Sequence, residues 1–152
     1  MFTPEQMILR FSLALVLGAL IGLERELIGK EAGVRTIMLV SGGSAIFAMA
    51  SLMLPHIAAE GIASGGVLTV TSDFSRIAAN IVVGIGFLGA GIIIQTKERV
   101  RGLTTAALVW TSASIGMLVG LGEFSFSIVA AVLISVLLYF LRGLNVGDGP
   151  HH

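Results

Sequence analysis

Five apolar runs, separated by short charged or glycine-rich breaks, dominate this chain. A bilayer core takes about 20 predominantly apolar residues per helix. The runs predict spans over about 7–23, 36–54, 77–95, 103–121 and 124–141. Composition agrees: 55% of residues are hydrophobic, 12% are charged and the mean hydropathy is +0.99. Such a chain is expected to be all-α, a polytopic membrane helix bundle in the lipid bilayer. Net charge is zero, so no nucleic-acid partner is expected. With no cysteine there is no disulfide framework and no thiolate chemistry. The first run follows no basic region and precedes no small-residue cleavage site, so it reads as a span that stays in place.

Basic residues orient the spans. Arg25, Lys30 and Arg35 lie in the first loop, Lys97, Arg99 and Arg101 in the third, and Arg142 follows the fifth span. Arg10 and Arg76 fall on the other side. The positive-inside rule then puts the N-terminus outside and the C-terminus in the cytoplasm. Residues 1–145 read as one membrane domain, and 146–152, ending Gly149-Pro150-His151-His152, as a linker or truncated tag. Spans one and two echo spans three and four as helix, charged loop, helix; parallel transporter repeats share that layout. Trp110 falls inside the fourth span and reads as a packing residue.

The third span carries Gly84, Gly86, Gly89 and Gly91 within eight residues. Glycine is a poor helix former, so the run implies another gain. On a helix, Gly84 and Gly91 share one direction, and Gly86 and Gly89 fall together on roughly the opposite side. Two smooth faces imply close approach on both, placing this span at the centre of the protomer or between protomers. The alternative is a broken helix whose freed backbone lines a site. Gly18 and Gly22 form a second small-residue motif in the first span.

Four polar groupings are candidate ligand or ion-pair sites. Glu24-Arg25-Glu26 opens the charged first loop, where the first span meets the cytoplasm; carboxylates suit Mg2+, but Glu24 and Glu26 project about 200° apart on a helix. An ion-pair network of Glu24 or Glu26 with Arg35, Arg99 or Arg101 is the competing reading. Asp73 is a candidate cap for the third span and is spaced to pair with Arg76. Arg76, Asn80 and Gly84 make a polar-to-smooth stripe, a candidate path or pocket from outside. Arg101 precedes Thr104 and Thr105, and Thr111, Ser112 and Ser114 continue a strip of hydroxyls, which in membrane helices often bond back to their own backbone. No serine has the partners of a hydrolase triad. Gly84-x-Gly86-x-x-Gly89 matches the dinucleotide fingerprint only formally, because no soluble βαβ unit follows. No enzyme activity is expected.

In order, Gly22-Leu-Glu-Arg-Glu26, Ala32-Gly-Val-Arg-Thr36, Gly84-Ile-Gly-Phe-Leu-Gly-Ala-Gly91 and Arg101-Gly-Leu-Thr-Thr-Ala-Ala107 with Trp110 resemble the MgtC/SapB family of bacterial inner-membrane proteins. The resemblance covers about residues 7–141 and implies a five-span domain linked to Mg2+ limitation and, in pathogens, to virulence. It implies a regulator that contacts membrane-protein partners such as the rotary ATP synthase. Many members carry a soluble C-terminal domain of ACT-like form, which this sequence does not include. Asn80 stands where many members have glutamine. Two functions are therefore expected: a regulator acting by helix–helix contact, or a small transporter or ion-binding protein for Mg2+ or another small solute. Either favours a homo-oligomer, a dimer first, and neither requires a cofactor.

Overall fold

The computed structural model describes residues 2–63, 74–95 and 100–143. Five helices follow in order: α1 (Pro4–Leu27), α2 (Val34–Ala63), α3 (Phe74–Ile92), α4 (Leu103–Leu121) and α5 (Phe124–Gly143). Four have stretches long and apolar enough to cross a membrane; the apolar stretch of α3, Arg76–Ile92, is shorter. The expected all-α membrane bundle is the fold that forms. The expected 146–152 tail lies outside the described residues.

Helix ends differ from the expected spans for local reasons. Thr3 and Gln6 form a reciprocal capping box ahead of Pro4, starting α1 before the apolar run. The same helix runs on through Glu24-Arg25-Glu26, which the sequence reading assigned to the loop. Likewise α2 runs past residue 54, where the expected span ended, through Pro55 to Ala63. Proline removes one backbone donor, yet Ala58, Ala59 and Glu60 beyond it are good helix formers. At its far end α3 stops early, because Ile94–Gln95 (β1) pairs antiparallel with Val100–Arg101 (β2). The turn at Gly122-Glu123 is where the sequence put it. Gly122 takes a left-handed conformation (φ 103°), and the Glu123 N–H donates to the Leu118 carbonyl at 3.0 Å.

Small residues decide which helix is central. A Cβ on Gly18 of α1 would lie 2.9 Å from the Ile37 carbonyl oxygen, and one on Gly22 would lie 2.7 Å from the Val34 Cα. From α4, a Cβ on Gly116 would overlap the Ser41 backbone, and one on Gly120 would sit 2.6 Å from the Ala45 carbonyl oxygen. α2 is thus clamped between α1 and α4, with Ser41, Ala45 and Ala48 buried at the crossing. Close backbone approach through small residues replaces the hydrophobic effect, which is absent between helices in lipid. The Gly116-x-x-x-Gly120 motif escaped the sequence reading. α3 packs on α4 and more lightly on α2, while α5 lies against α1 and α4.

The central place expected for α3 within the protomer is therefore held by α2 together with α4, which touches all four other helices. α3 runs unbroken through its glycines, so the fold has no helix break there. A Cβ on Gly89 would meet the Ala106 Cβ at 3.7 Å, an ordinary contact. A Cβ on Gly84, Gly86 or Gly91 would meet no atom within 4 Å.

Candidate functional site

The polar groups gather where α1 ends and α2 and α4 begin. Glu24 and Arg25 are adjacent on α1 and both buried, 8% and 6% exposed. Arg25 Nε donates to Glu24 Oε2, so the pair neutralises itself instead of reaching Arg35 or Arg101, both exposed. Glu24 Oε1 is buried and accepts no hydrogen bond. Taking a carboxylate and a guanidinium out of water costs several kcal/mol per ion, which mutual pairing offsets only in part.

Glu26 points to a different task. Its Oε2 accepts from the Val34 N–H at 3.0 Å, across the turn at Gly29. Val34 opens α2, so the carboxylate meets an orphan donor and the positive end of the helix dipole. Gly33 makes room for it: a Cβ there would fall on the Glu26 carboxylate. Across the bundle, the Thr105 hydroxyl, on a residue only 2% exposed, donates to Glu31 Oε2 at 3.4 Å. This bond ties the α1–α2 turn to the start of α4. Thr104, its neighbour, is exposed. Gly102 precedes α4 in a left-handed conformation (φ 83°), and a Cβ there would overlap the Ile92 carbonyl oxygen.

Glu31 was not singled out from sequence; one turn residue among charged neighbours gave no signal. Arg10 was noted only for its side of the membrane. At the opposite end of the bundle its Nη1 donates to the Gly120 carbonyl at 2.6 Å. Its guanidinium stacks over Phe2 (4.3 Å to the ring centroid) and lies 5.6 Å from Phe124. Thr111, Ser112 and Ser114 bond back to the carbonyls of Ala107, Val109 and Trp110. Trp110, half-exposed, lines a shallow crevice between α3 and α4 with Ile81, Ile85 and Met117.

The stripe on α3 is separate from these groups. Arg76, Asn80 and Gly84 are exposed, and no second wall faces them among the described residues. Asp73 lies outside the described residues, as do Lys97 and Arg99.

The segments quoted for the family resemblance touch one another. Gly22 and Glu26 meet Val34, Gly89 meets Ala106, and Glu31, beside Ala32, meets Thr105. A family model for the MgtC family matches residues 11–146. The chain belongs to the MgtC family. It is 43% identical over 135 residues to Protein MgtC of Salmonella typhimurium, covering 89% of this chain and 52% of that protein. A protein named putative magnesium transporter YhiD, from Escherichia coli, is 38% identical over 147 residues, covering 92% of this chain and 62% of that one. The chain thus spans about half the length of the curated relatives it matches. No solved structure matches it significantly.

Among the described residues, no three His, Cys, Asp or Glu side chains stand together to hold a metal. Glu24 is engaged by Arg25, and Glu26 by a backbone N–H. The linked segments instead fix the mutual positions of α1, α2, α3 and α4 at one end of the bundle.

Proposed function

We propose that this MgtC-family membrane protein serves in magnesium limitation as a non-enzymatic regulator of the bacterial inner membrane, acting by helix contact with other membrane proteins. The observation that carries the reading is how the glycines are divided. Gly18, Gly22, Gly116 and Gly120 are consumed by packing inside the chain, whereas Gly84, Gly86 and Gly91 are left uncovered on α3. A packed bundle that leaves one helix uncovered, with gaps among its side chains, is suited to receive another helix. The rotary ATP synthase is the partner the resemblance suggests. Tagged protein is expected to retain ATP synthase subunits through membrane solubilisation, and its addition to energised membrane vesicles should lower proton-driven ATP synthesis. Unchanged synthesis together with no retained subunits would remove that partner.

A second reading, a small transporter or ion-binding protein, draws support from one feature. Glu24 Oε1 is a buried carboxylate oxygen without a hydrogen-bond donor. In that reading the oxygen would meet a passing hydrated cation or its water.

A further inference from the structure

We propose that the exposed face of α3 is a self-complementary surface that receives α3 of a second copy of this chain, in parallel, with Asn80, Gly84, Phe87 and Gly91 at the contact. The proposal rests on the reading of uncovered α3 as a contact surface; it gives the Gly84–Gly91 stripe to the second copy and leaves Gly86, off that stripe, to other membrane proteins.

Three observations support it. The first is a contrast within the molecule. The exposed face of α5 carries Val129, Val132, Leu133, Val136 and Phe140, large side chains suited to lipid tails. The α3 face instead alternates holes with a single knob. Gly89 faces α4, and Asn80, nine residues earlier, falls about half a turn away from it at roughly 100° per residue. Gly84, Phe87 and Gly91 lie within about 40° of Asn80 on the same projection. This face therefore points directly away from the rest of the bundle.

The second observation is shape. Phe87 is 82% exposed, and glycines with open space flank it about one turn away on either side, Gly84 before and Gly91 after. A bulky ring between two gaps on one helix fits the same pattern on another, knob into hole. Two copies share one orientation in the membrane, so equal residues meet at equal depth about a two-fold axis along the membrane normal.

The third observation is hydrogen bonding. Asn80 is exposed and forms no hydrogen bond among the described residues, although it lies inside the apolar stretch of α3. An unpaired amide at such depth is costly. An amide is donor and acceptor at once, so the Asn80 of a second copy satisfies it reciprocally, which a lipid tail cannot do. Arg76, four residues nearer the helix start on the same side, is long enough to turn outward to the headgroups and keep the two charges apart.

The chain has no cysteine, so single substitutions report cleanly. Asn80→Cys, Gly84→Cys, Phe87→Cys and Gly91→Cys, oxidised in native membranes, are expected to cross-link into dimers. Leu133→Cys, on the exposed face of α5, is expected not to. Gly84→Leu meets open space in the protomer and leaves its fold intact, but fills the hole for Phe87. It should weaken the detergent-solubilised dimer about tenfold or more, while Gly86→Leu, off the stripe, leaves it unchanged. Dimers that cross-link through α5, or that persist in Gly84→Leu, would overturn the α3 interface and leave the contact reading standing. A monomer with no cross-link at any position would overturn the proposal. The retention of ATP synthase subunits, scored separately, decides the contact reading itself.

Discussion

At the residue scale, the site is organised by groups that hold helices, and Glu26 shows how. Its carboxylate caps α2 from α1. Glu26→Ala should cost about 1 kcal/mol, a typical loss for a helix cap. Glu26→Gln, which keeps an acceptor and loses the charge, should cost less; thermal unfolding in detergent measures both. Gly102 carries a sharper constraint. A side chain there pays about 1–2 kcal/mol for the left-handed conformation and also collides with the Ile92 carbonyl. Gly29, also left-handed (φ 63°), has open space around it. Gly29→Ala should therefore pay the conformational cost alone, and Gly102→Ala distinctly more, read as a larger fall in melting temperature and a loss of monodisperse protein. The acidic character of the 24–26 segment was legible in the sequence, but its roles were not. Which oxygen meets Arg25 and which meets Val34 depends on α1 continuing past the apolar run and reversing at Gly29, and hydropathy alone does not encode that.

At the element scale, hydropathy located all five helices because each must hide its own backbone from lipid. It could not rank their contacts. The densest glycine segment looked like the packing centre, yet three of its four glycines face outward and α2 and α4 hold the centre. The deciding signal was the pairing of two spaced motifs, Gly18-x-x-x-Gly22 and Gly116-x-x-x-Gly120, against the small residues of α2. Spacing of this kind is common in membrane helices, and only the partner helix shows which instance is used. The difference is testable by one set of variants. Gly116→Leu and Gly120→Leu should abolish the folded bundle, since a side chain would enter the α2 backbone. Gly86→Leu should leave monomer stability within about 0.5 kcal/mol, as for substitutions clear of specific features. Size-exclusion profiles and melting temperatures distinguish these outcomes. Arg10 belongs at this scale too, because it ties α1 to the α4–α5 turn through the Gly120 carbonyl. Arg10→Ala should lower stability by about 1.5–3 kcal/mol, the range for a hydrogen bond to a charged group. Arg10→Lys should recover part of that loss.

At the scale of the whole molecule, the fold separates a packed interior from an uncovered helix. α1, α2 and α4 meet through small residues, and the hydroxyls of Ser51, Ser112, Ser127 and Ser135 are spent on their own helix backbones. The polar segments that mark the family bind one another at one end of the bundle. These features describe a packed body with one helix face left uncovered. If the chain acts by contact, as proposed above, it does not carry Mg2+. The deciding measurement is Mg2+ entry into liposomes containing the purified protein, followed with an enclosed indicator under an imposed gradient. Entry equal to that of protein-free liposomes, unchanged by Glu24→Ala, is expected. Saturable, protein-dependent entry that Glu24→Ala abolishes would contradict the contact reading.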